Sequence, residues 1–233
     1  MRMMDNPMKN RIFAAGFKHI GPMTRFKAAL FDLDGVIFDT EPQYTRFWKG
    51  EFHRYYPDRT GLEHAIKGET LVQTFDHWFS GPLEAERESV RTRLYAFEAS
   101  MDFPYVKGTA DFIEALRAQG IRTAVVTSSN QPKMQNVFRT HPEFTALFDR
   151  IVTSEDITHS KPAPDCYLKA AELLGVDPAE CLAFEDSFNG LRSAMDAGTT
   201  VVAVTTAHPA AELVDLSHFQ IPDFTDALSI LGL

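Results

Sequence analysis

Two aspartates stand two residues apart in the segment ALFDLDGVIFDTEP, directly after an apolar run. Removing a carboxylate from water is costly unless a cation or hydrogen bonds compensate for its charge. If the apolar run is a buried strand, Asp32 and Asp34 extend it, and residues i and i+2 of an extended segment point to the same side. The pair therefore predicts that both carboxylates face one cation or one reacting group.

Polar clusters also follow three other segments that have the pattern of strands. These clusters are Thr127-Ser128-Ser129-Asn130, Lys161 within SKPAPD, and Glu185-Asp186. Taken singly, each has an ordinary explanation, such as a helix cap, a surface charge or a favourable charge at a helix N-terminus. Because all of them stand at corresponding strand ends, we expect them to converge with the aspartate pair in one crevice.

Strand and helix patterns alternate along most of the chain. Patterns of buried strands cover 25–32, 121–127, 147–154, 180–186 and 199–206, and helical patterns cover 108–120, 164–175 and 187–198. Thr109 and Ser187 are candidate N-caps. The alternation predicts an α/β fold with a Rossmann-like, doubly wound parallel sheet. Ligands of such sheets bind beyond the carboxyl ends of the strands, where the polar clusters stand.

Residues 41–105 interrupt this alternation. Aromatic residues and leucines recur there at spacings of three and four, with charges between them, which is typical of amphipathic helices. We therefore expect a core formed by residues 25–40 and 106–233, a small inserted α-helical cap at 41–105, and an N-terminal extension at 1–24.

Composition excludes several classes of function. The formal net charge of −9 disfavours nucleic-acid binding, because a phosphate backbone requires a basic surface. No apolar stretch is long enough to cross a bilayer, and Cys166 and Cys181 do not make a disulfide framework. We expect a cytoplasmic monomer that binds a small molecule and neither nucleic acid nor membrane.

The four carboxylates of the predicted crevice suit a metal site. They belong to Asp32, Asp34, Glu185 and Asp186, and such a cluster is tolerable around a hard cation. Mg²⁺ prefers oxygen ligands and completes its shell with water and substrate phosphate. Mg²⁺ is therefore the expected cofactor.

The remaining polar groups suit a phosphate. Lys161 supplies a fixed positive charge, and Thr127 with the neighbouring Ser128, Ser129 and Asn130 offers hydroxyl, amide and backbone N–H donors to phosphate oxygens. A small phosphorylated metabolite is therefore the expected ligand.

These segments resemble the motifs of the haloacid dehalogenase superfamily. FDLDGVIFDTEP is similar to its first motif, hhhDxDG; Thr127 after AVV is similar to the second, Lys161 in KPAPD to the third, and FEDSFNG to the fourth. The resemblance extends from about residue 25 to the C-terminus. The place of the helical insertion is similar to that of the cap in the beta-phosphoglucomutase-like phosphatase branch, which lies between the first two motifs.

The resemblance implies a role for each matching residue. Asp32 would be the nucleophile that forms an aspartyl-phosphate. Asp34 would protonate the leaving oxygen and then deprotonate the attacking water. Mg²⁺ would be held by Asp32, the backbone carbonyl of Asp34 and Asp186, with Glu185 as a ligand or a neighbour of the ligands. The transferring phosphoryl group would be held by Thr127 and Lys161.

Three functions share these motifs: a phosphatase, a beta-phosphoglucomutase-type mutase and a non-catalytic phosphate-binding module. The mutases that this chain resembles carry a cap histidine twelve residues after the nucleophile, where Tyr44 stands here, and an arginine after a Lys-Gly pair, which IKGETLVQ lacks. Both departures favour a phosphatase for a small phosphomonoester, such as a sugar phosphate. Because the motif aspartates and lysine are all present, the binding module is the weakest of the three. Glu41, Tyr44 and Lys67 are candidate cap contacts to the substrate.

Overall fold

The computed structural model describes residues 26–67 and 69–233, so the expected extension at 1–24 lies outside the described residues. Its sheet has six strands: β1 (Ala28–Phe31), β2 (Arg122–Val126), β3 (Arg150–Val152), β4 (Cys181–Glu185), β5 (Thr200–Val204) and β6 (Phe219–Ile221). Their order across the sheet is β3-β2-β1-β4-β5-β6, and all neighbours pair in parallel. The predicted α/β fold with a doubly wound parallel sheet is confirmed.

The segment after β1 is helical. It contains α1 (Glu41–Tyr55), α2 (Leu62–Ala65), α3 (Leu71–Trp78) and α4 (Arg87–Glu98), with a 3₁₀ helix at Gly81–Glu86. These helices bury an aromatic-rich cluster of their own, which includes Trp48, Phe52, Phe75 and Phe79. The aromatic spacing seen in the sequence therefore corresponds to apolar packing within this segment.

The remaining helices accompany the later strands. They are α5 (Thr109–Ala118), α6 (Gln131–Thr140), α7 (Phe144–Leu147), α8 (Asp165–Leu174), α9 (Phe188–Asp196), α10 (Ala210–Leu213) and α11 (Ala227–Leu231), with 3₁₀ helices at Ser154–Asp156, Pro178–Glu180 and Val214–Leu216. Across residues 26–67 and 69–233, we find no helix that combines the length and the apolarity needed to span a membrane.

The central strands β1, β4 and β5 are buried on both faces because helices cover the sheet on each side. In β1, Ala29 and Phe31 pack into one apolar cluster and Ala28 and Leu30 into the other. Such double burial explains why the strands have continuous apolar sequences rather than alternating ones. The rigid sheet in turn fixes the position of the residues that follow each strand.

Local details depart from the sequence patterns at several places. The N-cap of α5 is Gly108, with φ +80°, rather than Thr109, whose hydroxyl instead donates to the Val106 carbonyl at 2.7 Å. Ser187 does cap α9, because its hydroxyl accepts the N–H of Gly190. The predicted elements did not include helices α6, α7, α10 and α11 or the short strand β6.

Candidate active site

The first pair of aspartates follows β1. The N–H of Asp32 donates to the Phe184 carbonyl of β4 at 3.0 Å, so the strand pairing extends beyond Phe31. The chain then turns at Gly35, whose φ of +72° lies in the left-handed region. A Cβ on Gly35 would lie 1.8 Å from Asp186 Oδ2, so glycine allows this loop to approach the second acidic pair.

Lys161 joins the ends of three adjacent strands. Its buried ammonium donates to Asp32 Oδ1 at 2.6 Å, Glu185 Oε1 at 2.5 Å and the Val126 carbonyl at 3.0 Å, so each of its three protons has an acceptor. Burial acts to lower the pKa of Lys161, but the charges of Asp32 and Glu185 raise it above its ordinary value. Lys161 therefore stays positively charged beside Asp32.

Glu185 is fully buried and satisfied on both carboxylate oxygens. Oε1 also accepts the hydroxyl of Tyr167 at 2.8 Å, and Oε2 accepts the Asp186 N–H at 3.1 Å. Gly190 makes room for this carboxylate, because a Cβ there would lie 2.0 Å from it. Glu185 was expected to be either a metal ligand or a neighbour of the ligands. This geometry favours the second role, in which Glu185 holds Lys161.

The acidic cluster has the donor set of a hard-cation site. Asp32, Glu185 and Asp186 each offer an oxygen within 4.8 Å of the others. Lys161 pairs with Asp32 and Glu185, whereas the described side-chain contact of Asp186 is the Thr206 hydroxyl at 3.5 Å. A carboxylate that is 4% exposed and has no cation beside it among the described contacts fits a divalent metal site.

Burial also changes the proton affinity of these carboxylates. Desolvation raises the pKa of Asp32 to about 7, with Lys161 acting against the shift and Glu185 adding to it. Desolvation, together with the charge of Glu185, raises the pKa of Asp186 well above its ordinary value. A bound divalent cation would supply the positive charge that keeps both groups ionised.

The loop after β2 forms the opposite wall. The buried Thr127 accepts the N–H of Ser129 on its hydroxyl at 3.0 Å, and Asn130 caps α6 by accepting the Lys133 N–H at 3.1 Å. A cleft of about 410 Å³ brings the strand-end groups together; its lining includes Asp32, Asp34, Thr127, Ser128, Ser129, Asn130, Lys161 and Asp186. Glu185 lies behind this lining.

The helical segment supplies the third wall. Glu41 and Tyr44 of α1 line the same cleft, and Tyr44 donates its hydroxyl to Glu98 Oε1 at 2.8 Å. Lys67 lies in an adjoining cavity of about 240 Å³, where its Nζ is 3.3 Å from Glu41 Oε2. Thus two of the three candidate cap contacts line the cleft itself, and Lys67 borders it through Glu41.

Sequence reasoning missed Lys133 and Thr40, which both bind Asp34. Lys133 Nζ lies 2.5 Å from Asp34 Oδ2, and Thr40 donates its hydroxyl to Asp34 Oδ1 at 2.7 Å. One signal was available, because a cation in the first turn of a helix opposes the helix dipole. Lys133 occupies that position in α6, which indicates that it has a partner elsewhere.

Comparison with known proteins places the chain in a family. Residues 26–198 match the family model described as haloacid dehalogenase-like hydrolase. The chain therefore belongs to the haloacid dehalogenase-like hydrolases, and the superfamily predicted from the motifs is confirmed.

Individual relatives agree with this assignment. Protein CbbY of Rhodobacter capsulatus is 29% identical over 86% of this chain and 95% of its own. Hexitol phosphatase A of Escherichia coli K12 is 33% identical over 77% of this chain and 83% of its own. The structure of beta-phosphoglucomutase from Clostridium difficile, 21% identical, has the same fold, with a TM-score of 0.67 over 86% of this chain and 92% of its own. The family and the curated relatives support a phosphoric monoester hydrolase of the predicted branch.

Proposed function

We propose that this protein is a Mg²⁺-dependent phosphatase that hydrolyses a small phosphomonoester through an aspartyl-phosphate on Asp32. The observation that carries the proposal is the position of the Asp32 carboxylate. One of its oxygens lies 2.6 Å from the Lys161 ammonium and one within 4.8 Å of an Asp186 oxygen, and Asp32 lines a cleft that Asp34 also lines. The cleft thus brings together the groups that the reaction needs and can hold a small phosphomonoester. These groups are the nucleophile Asp32, the proton carrier Asp34, the fixed cation Lys161 and the cation-binding Asp186.

The reaction has two steps, transfer of the phosphoryl group to Asp32 and hydrolysis of the resulting aspartyl-phosphate. In the first, an Asp32 oxygen attacks phosphorus, the bond from phosphorus to the ester oxygen breaks, and Asp34 gives its proton to the leaving alcohol. In the second, Asp34 takes a proton from water, the water oxygen attacks the same phosphorus, and phosphate leaves the Asp32 carboxylate. Asp34 ends protonated, ready for another cycle.

The surrounding residues stabilise the charge on the phosphoryl oxygens. Lys161 contacts Asp32 directly and so lies next to the transferring group, and the Thr127 to Asn130 loop offers donors from the other wall. Asp32, the backbone carbonyl of Asp34 and Asp186 would hold Mg²⁺, with Glu185 positioning Lys161. When bound, Mg²⁺ neutralises negative charge and orients the phosphate.

The helical segment favours a hydroxyl-rich leaving group with one phosphate. The cations described along the cleft and its adjoining cavity are Lys67, Lys133 and Lys161, and each is already paired with a carboxylate. A second phosphate would need an additional positive group. Carboxylates such as Glu41 and Glu98 can accept hydrogen bonds from sugar or polyol hydroxyls. This lining supports a sugar or polyol monophosphate as substrate and disfavours the bisphosphate of a mutase cycle.

We further propose that residues 41–105 act as a cap on a core of 25–40 and 106–233, because helices α1–α4 have their own apolar cluster and border the cleft. Both cysteines are buried and unpaired, which suits a reducing compartment such as the cytoplasm. A monomer that binds neither nucleic acid nor membrane remains part of the proposal.

The direct test is phosphate release from a panel of phosphomonoesters, including hexitol phosphates and β-glucose 1-phosphate, with Mg²⁺ or EDTA. We expect release that requires Mg²⁺ and that falls to background in Asp32→Asn, while the exposed Asp58→Asn control keeps full activity. Formation of glucose 6-phosphate without free phosphate would establish a mutase instead. Binding of phosphate compounds without turnover would favour the non-catalytic module.

A further inference from the structure

Lys133 is a buried cation outside the four motifs. It is 4% exposed, and its ammonium lies 2.5 Å from Asp34 Oδ2 and 2.7 Å from the Tyr44 hydroxyl. Burying an ammonium is costly, so such a lysine persists where its partners compensate for the lost water. Its partners here are the proposed proton carrier and a residue of the first cap helix.

The Asp34 carboxylate is held on both oxygens. Thr40 donates to Oδ1 at 2.7 Å, and Ser129 donates to Oδ2 at 3.3 Å beside Lys133. Of these three donors, Lys133 is the charged one, and hydrogen bonds from a charged donor are about twice as strong as neutral ones. Lys133 is therefore the main determinant of where Oδ2 points.

The same helix also holds the far end of the cap segment. Lys133, Asn136 and Arg139 follow one another at spacings of three and so share a face of α6. Asn136 donates to the Glu98 carbonyl at 2.8 Å, and Arg139 donates to the Ala99 carbonyl at 3.2 Å. This polar face of α6 thus contacts the chain where α4 ends.

Tyr44 closes the connection between the two ends of the cap segment. Its oxygen accepts from Lys133, and its hydroxyl donates to Glu98 Oε1 at 2.8 Å. A continuous chain of hydrogen bonds therefore runs from Asp34 through Lys133 and Tyr44 to Glu98. The carboxylate that must exchange protons with the substrate is linked by side chains to both ends of the cap.

We propose that Lys133 is a positioning residue for Asp34, and that Tyr44 and Glu98 make this positioning depend on the docking of the cap on α6. The inference rests on the proposed phosphatase function. By holding Oδ2, Lys133 fixes the orientation of the carboxyl group that exchanges a proton with the leaving oxygen, and Tyr44 in turn holds Lys133 in place. Removing Lys133 leaves the Asp34 carboxylate with two neutral donors, Thr40 and Ser129, which hold its orientation less firmly.

The test compares leaving groups. Expulsion of an alkoxide requires a proton from Asp34, whereas p-nitrophenolate leaves without one. In Lys133→Met we expect kcat/KM for an alkyl phosphate to fall about 10- to 100-fold and kcat/KM for p-nitrophenyl phosphate to fall less than about threefold. Lys133→Arg, which keeps the charge, should recover part of the kcat/KM that Lys133→Met loses on the alkyl phosphate. The control Lys49→Met, on the exposed side of α1, should leave kcat/KM unchanged for both substrates.

A double-mutant cycle sharpens the test. In an Asp34→Asn background, Lys133→Met should lower kcat/KM by less than about threefold for either substrate, because both changes remove the same proton transfer. Equal losses on both substrates in the single variant, or full additivity in the double variant, would overturn the proposal and indicate a structural or phosphate-binding role.

A second readout needs no turnover. Hydrogen exchange should accelerate in α1 around Tyr44 and around Glu98 in both Lys133→Met and Tyr44→Phe, but not in Lys49→Met. Unchanged exchange at both places would contradict the link to the cap. If the wild-type protein hydrolysed neither substrate while the exchange result held, the proposed function would fail and the structural link would stand.

Discussion

The two sides of the cleft are built in different ways. On the sheet side, functional groups follow β1, β2 and β4, and main-chain pairing fixes them, as when the Asp32 N–H donates to Phe184. On the helical side, Glu41 is held by Lys67 and Tyr44 by Glu98, which are contacts between side chains rather than main-chain pairing. We therefore expect the sheet side to be the more rigid and to carry the chemistry, and the helical side to adapt to the leaving group.

The largest expected contrast is between a lysine on each side. Lys161→Met should lower kcat by about 10²–10³-fold, because it removes a cation next to the reacting phosphoryl. It should also reduce the free energy of unfolding by about 3–5 kcal/mol, since it leaves Asp32 and Glu185 buried without their partner. Steady-state kinetics and denaturant unfolding measure the two effects.

Lys67→Met is the matched change on the helical side. The ion pair of Lys67 with Glu41 is partly exposed, so we expect KM to rise by at most about fivefold with kcat nearly unchanged. A loss of kcat as large as that of Lys161→Met would show that the helical side takes part in the chemistry and would end the distinction between the two sides.

The acidic cluster predicts an unusual pH dependence of stability. The pKa of Asp32 is raised to about 7 and that of Asp186 is also raised, so between about pH 4 and 7 the folded state without metal binds more protons than the unfolded state. Its stability should therefore fall as the pH rises through this window, by up to about 1.4 kcal/mol per pH unit for each group.

Mg²⁺ should reverse this trend, because it binds the ionised carboxylates and stabilises the folded state. Thermal unfolding in EDTA and in Mg²⁺ at pH 5.5 and 7.5 provides the check. We expect the Mg²⁺-induced rise in Tm to be larger at pH 7.5. An equal rise at both pH values would mean that the metal does not bind this cluster.

Two helical glycines give a smaller contrast. In Gly190→Ala, the new Cβ would lie 2.0 Å from the Glu185 carboxylate, so we expect the free energy of unfolding to fall by about 1–3 kcal/mol. Activity should also fall, because Glu185 and the Lys161 that it holds would be displaced. In Gly50→Ala, the new Cβ in α1 meets nothing within 4 Å, so the free energy of unfolding should rise by about 0.5–1 kcal/mol without loss of activity. Denaturant unfolding and phosphate release are measured for both variants. Similar changes in stability and activity in the two variants would contradict the difference in packing.

The contrast between the two sides also explains what the sequence could predict. Asp32, Thr127 and Glu185 stand next to apolar strand patterns, and parallel pairing brings strand ends to one edge, so their convergence could be predicted from the pattern of residues. The link from Lys133 to Asp34 spans 99 positions and depends on how α6 packs against the helical segment 41–105. Helix α6 itself was missed because the side that contacts the helical segment is polar, with Lys133, Asn136 and Arg139 in place of apolar residues.

The proposed mechanism requires that Asp32 carry the phosphoryl group. It is tested most directly by acid quench of the enzyme with ³²P-labelled substrate, followed by peptide mapping. We predict a label that hydroxylamine removes, as it does an acyl phosphate, on the peptide containing Asp32. The label should be absent in Asp32→Asn and should accumulate in Asp34→Asn with labelled p-nitrophenyl phosphate, because water is then poorly activated. Phosphate release by the wild-type enzyme with no such label in either the wild type or Asp34→Asn would contradict the account.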